Sequence, residues 1–135
     1  MKAIDTNILV RFLVGDDQKQ AERVYKLFKR TESRQKELFV SLLVVLELLW
    51  VLEAVYQINR KEILDSLSDL LLMPIFKFEN LNAIQKFIVS ANNNKYDLSD
   101  LLIAHASNSL GCETVLTFDK KVSKCALFEL IELNN

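Results

Sequence analysis

The sequence predicts an α/β domain in which a mainly parallel sheet is flanked by helices, and three observations carry that expectation. Short runs rich in β-branched and aromatic residues alternate with longer segments of helical periodicity, in the order strand, helices, strand, helices, strand, helices, strand. No repeat, low-complexity tract or linker interrupts them. At 135 residues, 50% apolar and 26% charged, the chain has the size and composition of one soluble domain, 1–135, with a core of its own.

Lys2-Ala3-Ile4 is the first strand, after which Asp5-Thr6-Asn7 offers caps for a helix over Ile8 to Val14, closed by Gly15. Asp16-Asp17 place acids at the start of a second helix whose apolar positions, Ala21, Val24, Leu27 and Phe28, share one face. Leu38-Phe39-Val40 is a strand, and Ser41 caps an almost wholly apolar helix reaching about Tyr56. Arg60 to Leu72 carries Ile63, Leu64, Leu67, Leu70 and Leu71 on one amphipathic face, and Pro74 separates it from the strand Ile75-Phe76-Lys77.

A helix from Asn80 to about Ala91 buries Leu81, Ile84, Phe87 and Ile88, and Asn92-Asn93-Asn94 forms a loop. The next helix is capped near Asp97 and terminated by Gly111. Glu113 to Thr117 is a strand, Asp119-Lys120-Lys121 opens a short helix, and Glu129 to Leu133 is a last edge strand.

Composition excludes several classes of function. A net charge of −1 argues against coating nucleic acid by bulk electrostatics, leaving only a local basic patch for that purpose. Cys112 and Cys125 form no CxxC pair and there is one histidine, so neither a disulfide framework nor a zinc motif is indicated. The longest apolar run, Leu38 to Leu52, is shorter than the roughly 20 residues that cross a bilayer. With no basic-then-apolar leader either, a cytoplasmic protein is expected.

The acids are the candidate chemistry. Asp5 ends the first strand, where α/β sheets place their ligands, although it could equally cap the helix after it. Asp97 and Asp100 have the spacing of a cap and a first-turn acid, and Asp97 is read as the cap. Asp119 stands where a strand hands over to a helix. Glu47 lies among Leu46, Leu48, Leu49 and Trp50, where a buried carboxylate needs a cation, a metal ion or a wet cleft. Gathered at one sheet edge, four such acids would repel one another unless Mg²⁺ or Mn²⁺ neutralised them. A site of that kind can activate water against a phosphodiester.

These residues resemble the PIN-domain ribonucleases, and among them the VapC-type toxins of toxin–antitoxin pairs. The resemblance rests on Ile4-Asp5-Thr6-Asn7-Ile8-Leu9-Val10-Arg11 with Gly15-Asp16-Asp17, on Ser41 and Glu47, on Asp97-Leu98-Ser99-Asp100-Leu101-Leu102-Ile103-Ala104, and on Leu116-Thr117-Phe118-Asp119-Lys120. It implies a PIN-like three-layer sandwich with Asp5, Glu47, Asp100 and Asp119 as catalytic, metal-binding acids, and Thr6, Asn7 and Thr117 as polar residues orienting carboxylates or water. It further implies one or two Mg²⁺ or Mn²⁺ ions per site, a water activated by the metal, single-stranded or loop RNA as substrate, and a homodimer inhibited by a cognate antitoxin. Leu98-Ser99 departs from the aromatic and small residues common before the third acid.

Lys120, Lys121 and Lys124, with Arg11 from the opening motif, are the candidate RNA-binding cations, although a solvated basic helix face is the plainer reading of the lysines. His105 fits a partly buried helical position better than a general base. Trp50, Leu52 and Val55 suggest more apolar surface than a monomer buries, hence a dimer contact or a groove for a partner helix. The competing function is a catalytically silent PIN-like module that binds RNA or protein. A phosphatase of the haloacid-dehalogenase type is excluded because Asn7 stands where its second aspartate belongs.

Overall fold

The computed structural model describes residues 1–132 and falls into two compact units, Met1–Glu79 and the part beginning at Asn80. In the first, β1 (Lys2–Ala3), β2 (Leu38–Val40) and β3 (Phe76–Phe78) form a parallel sheet in the order β1-β2-β3. Lys2 lies opposite Leu38, and Leu38 opposite Phe76. Phe76 and Phe78 are buried around exposed Lys77, the period-two pattern of a strand with one covered face. That pattern shifts the third strand one residue beyond the expected Ile75-Phe76-Lys77.

Parallel strands need long crossovers, and the helices supply them. The first connection holds α1 (Thr6–Leu13) and α2 (Gln18–Ser33), whose Val24, Phe28 and Thr31 are buried at i, i+4 and i+7. Gly15, between them, takes the left-handed conformation at φ +67. Phe12, Phe28, Phe76 and Phe78 then make a chain of edge-to-face rings, with centroids 5.0, 5.2 and 5.9 Å apart, tying both helices to β3.

The second connection holds α3 (Leu42–Trp50) and α4 (Arg60–Leu71). The apolar helix expected to run to Tyr56 widens instead into a π-helical turn over Val51–Val55, closed by a bond from the Tyr56 amide to the Val51 carbonyl. This change of pitch carries Tyr56 to a polar cluster, where its hydroxyl donates to Asp16 at 2.8 Å and accepts from Arg11 at 3.3 Å. Asn59 caps α4, whose Ile63, Leu64, Leu67 and Leu70 are buried.

In the second unit α5 (Leu81–Asn92) and α6 (Leu98–Ser109) pack together, with Ile84, Phe87 and Ile88 buried on one and Leu98, Leu101 and Leu102 on the other. Asn80 caps α5, which takes in Asn92 from the expected loop. Beyond α6, β4 (Val115–Thr117) and β5 (Phe128–Leu130) pair in parallel around a 3-10 turn at Val122–Lys124, over a core of Ala104, Val122 and Phe128. The last strand thus starts one residue earlier than expected and stops at Leu130, while Leu133, its expected end, lies outside the described residues.

The α/β class and the parallel pairing are as the sequence predicts; the five strands among the described residues form two sheets, one in each unit. Among the described residues no helix is long and apolar enough to cross a membrane.

Candidate active site

Asp5 follows β1 and is itself the N-cap of α1, with its Oδ1 accepting from the Ile8 amide at 3.3 Å. Of the three caps that Asp5-Thr6-Asn7 offers, Asp5 is the one the fold uses, and neither Thr6 nor Asn7 takes the role. Asp5 has the extended backbone a cap requires, whereas Thr6 is already helical. Capping uses one carboxylate oxygen and leaves Oδ2 for other work.

Thr6 is buried and points the other way, its hydroxyl donating a short hydrogen bond to Glu47 Oε1. Glu47 is exposed, which corrects the expectation of a buried carboxylate in need of compensation. The reason is helical phase: Leu43, Glu47 and Trp50 form an i, i+4, i+7 stripe on the open side of α3, while Val45, Leu48 and Leu49 face the core. Asn7 is exposed.

In the second unit, Asp97 caps α6 by accepting from the Asp100 amide at 3.0 Å, as expected. Asp100 stands half-buried in the first turn. Burial pushes its carboxyl above the usual range, and the nearby charges of Asp97 and then Asp119 push it further. Asp119 turns its Oδ1 to the amides of Lys121 (2.8 Å) and Val122 (3.3 Å), while Thr117 Oγ1 accepts from the Asp119 amide at 3.0 Å. Thr117 thus shapes the turn that presents the acid. Lys120, Lys121 and Lys124 are exposed beside it.

Arg11 is engaged within the first unit. Its Nε donates to Gln20 at 2.6 Å and its Nη1 pairs with Asp16 at 3.0 Å. The Tyr56 hydrogen bond, with Asp16 adding to it, raises the guanidinium's already high pKa. This explains Arg11 as a staple between α1, the following loop and the π-helical turn. His105 is half-buried; desolvation and then the charge of Lys86 lower its pKa, and its Nε2 has no hydrogen-bond partner among the described residues.

Sequence reasoning missed two polar contacts of the first unit. Glu79, directly after β3, accepts from the Leu42 amide at 2.7 Å and so adds a second cap to α3 beside Ser41. Its signal was an acid following a strand, the same one that drew attention to Asp5. Tyr56, the other, carried no signal, because its place depends on the π-helical turn.

None of Asp5, Glu47, Asp100 and Asp119 forms an ion pair among the described residues, where the ion pairs are Arg11–Asp16 and Lys61–Asp65. Nor do three or more Asp, Glu, His or Cys side chains gather there into a ready-made metal cage. The donors suit a hard divalent cation nonetheless. They are all carboxylate oxygens, the Asp100 carboxyl feels the charges of Asp97 and Asp119, and Mg²⁺ commonly binds through one or two carboxylates while keeping several waters.

The chain matches the family model described as PIN domain over residues 2–126. It is 27% identical over 124 residues to a protein named VapC ribonuclease from Aquifex aeolicus (strain VF5), an alignment covering 92% of this chain and 91% of that protein. A match that runs through both units and takes in every acid described above places the chain in the PIN-domain family.

Proposed function

We propose that the chain is a metal-dependent endoribonuclease, the toxin of a toxin–antitoxin pair, with Asp5, Glu47, Asp100 and Asp119 as its catalytic acids and Mg²⁺ or Mn²⁺ as cofactor. The observation that carries this reading is electrostatic: four carboxylates without an ion-pair partner among the described residues, one of them with its pKa raised by burial and by two neighbouring acids. The family membership and the VapC ribonuclease relative support it.

A divalent cation held by carboxylates of this set would supply a Lewis acid, lowering the pKa of water and offsetting charge at the phosphoryl oxygens. The chain's own residues do the rest. The α1 amide fixes Asp5, the buried Thr6 hydroxyl aims Glu47, and the turn amides with Thr117 fix Asp119. Lys120, Lys121 and Lys124 hold RNA phosphates, a task for which Arg11, committed to Asp16, Gln20 and Tyr56, is poorly free. Thr6→Val should lower cleavage roughly 10- to 100-fold through weaker metal affinity, as loss of a ligand-orienting hydrogen bond does elsewhere. Thr6→Ser should restore it, and a Thr6→Val enzyme with unchanged metal dependence would remove Thr6 from the account.

The raised Asp100 pKa gives the metal reading a pH signature. A carboxyl raised in the folded state contributes stability below the unfolded carboxylate range, and that contribution is lost as pH rises through the raised value. Above this window the ionised group opposes folding and invites a cation. Mg²⁺ or Mn²⁺ should therefore raise the unfolding free energy at neutral pH, by about 2.7 kcal/mol at a hundred times the dissociation constant. The gain should fade as pH falls through the window, and Asp100→Asn should blunt it. An equal gain at every pH would contradict this role.

A homodimer and an antitoxin contact belong to the same proposal. Leu43, Trp50 and Val55 are 76%, 58% and 59% exposed, an apolar surface suited to a second protein chain. Leu52, expected on that surface, is 2% exposed and belongs to the core. The silent-module reading draws on the lack of a ready-made three-acid cage among the described residues. Incubating the purified protein with varied structured RNAs separates the two. Cleavage in Mg²⁺ or Mn²⁺ supports the nuclease, and tight RNA binding without cleavage in either metal supports the module.

A further inference from the structure

We propose that a basic cleft at the amino end of the β1-β2-β3 sheet binds the phosphodiester backbone of single-stranded RNA, as a contact separate from the acids and from Lys120, Lys121 and Lys124. It rests on the reading of RNA as substrate. The cleft is a cavity of about 620 Å³ whose wall carries Lys2, Arg30, Arg34 and Lys36 against one acid, Glu37. A local excess of three positive charges in a chain whose net charge is −1 calls for a cause.

Local structure accounts for part of it. Arg30 lies in the last turn of α2 and Arg34 caps its end, where the helix dipole favours cations. Yet the two arginines are four residues apart, a spacing at which like charges repel, and Lys2 and Lys36 join them from the starts of two other segments. None of the four takes part in an ion pair among the described residues, and all four are exposed. Several cations facing one concavity without acids to balance them are stabilised by a polyanion. Leu27 and Leu38 line the same cavity, giving an apolar wall against which a base can lie while its phosphates meet the rim.

The cleft also leads somewhere. A neighbouring cavity of about 360 Å³ shares Lys2, Leu27 and Leu38 with it and is lined further on by Ile4, Asp5 and Ile8. A strand seated among the cations is thereby continued along β1 toward the Asp5 carboxylate. An extended polynucleotide fits such a run of cavities. A planar lipid surface does not enter one, and an acidic peptide offers no reason for the path to end at Asp5.

The test uses the full chain in an Asp5→Asn background, so that RNA is not consumed. Fluorescence anisotropy reads the binding of a labelled single-stranded RNA of twelve nucleotides over a range of salt. Two pairs of changes, Arg30→Glu with Arg34→Glu and Lys2→Gln with Lys36→Gln, should each weaken binding roughly tenfold at low salt. The neutralising pair should lower the salt slope by about 1.4, the share of two phosphate contacts on a single strand. Lys61→Glu, on the exposed face of α4, should change neither, and circular dichroism should show every variant folded. Unchanged affinity and slope in both pairs would overturn the inference, as would displacement of the RNA by poly-glutamate at equal charge concentration.

The two proposals fail separately. If the unaltered chain cleaves no RNA but both pairs lose binding, the cleft stands and the nuclease reading falls. If it cleaves RNA and both pairs bind as the parent does, the nuclease stands and the cleft falls.

Discussion

Asp5→Asn and Asp100→Asn should each lower RNA cleavage roughly a thousandfold at saturating metal, the scale on which enzymes lose rate when a group that stabilises the transition state is removed. The first change keeps the fold because asparagine caps a helix about as well as aspartate, so the bond to the Ile8 amide survives. The second removes a charge that burial, Asp97 and Asp119 all oppose, and the metal-free variant should unfold at a slightly higher midpoint than its parent. A rate in either variant within a few-fold of the parent's would take that acid out of the chemistry. A rate lost together with the circular dichroism signal would say nothing of catalysis, which is why both substitutions preserve shape.

Phe87→Ala should cost about 3–5 kcal/mol, a large share of the 5–15 kcal/mol that holds a typical domain together. Phe87 is 0% exposed in α5, one turn after Ile84 at 0%, and α5 packs against α6. Urea denaturation measures the loss, and Phe87→Leu, which keeps most of the volume, should lose less than half as much. A cost below about 1 kcal/mol for Phe87→Ala would mean that the two helices do not pack as described.

Much of this was legible in the sequence because the relevant signals are local. Val24 and Phe28, or Ile63, Leu64, Leu67 and Leu70, declare a buried helical face by spacing alone, and Ser41 and Asp97 cap the helices their positions suggest. Glu47 was misjudged because its neighbours in sequence are apolar, yet exposure depends on helical phase, and α3 is apolar on both its faces. The sequence leaves Asp5 open between cap and ligand. The fold shows that one oxygen caps while the other is left over, so the choice was not exclusive. The π-helical turn at Val51–Val55 could not be read at all, because its sequence fits an α-helix equally well. Pairing of strands only two or three residues long is likewise a tertiary outcome, and their division between two sheets had no sequence signal.

The catalytic proposal is tested most directly by the chemistry of the cut ends. The purified chain is freed of metal with EDTA, offered RNA, and then given Mn²⁺ or Mg²⁺ while the products are examined for 5′-phosphate and 3′-hydroxyl termini. Attack by an activated water on the phosphodiester, with the 3′ oxygen as leaving group, predicts no cleavage in EDTA, cleavage on re-addition of either metal, those termini, and none of this in Asp5→Asn. Cleavage that persists in EDTA and in Asp5→Asn, leaving 2′,3′-cyclic phosphates, would contradict the account.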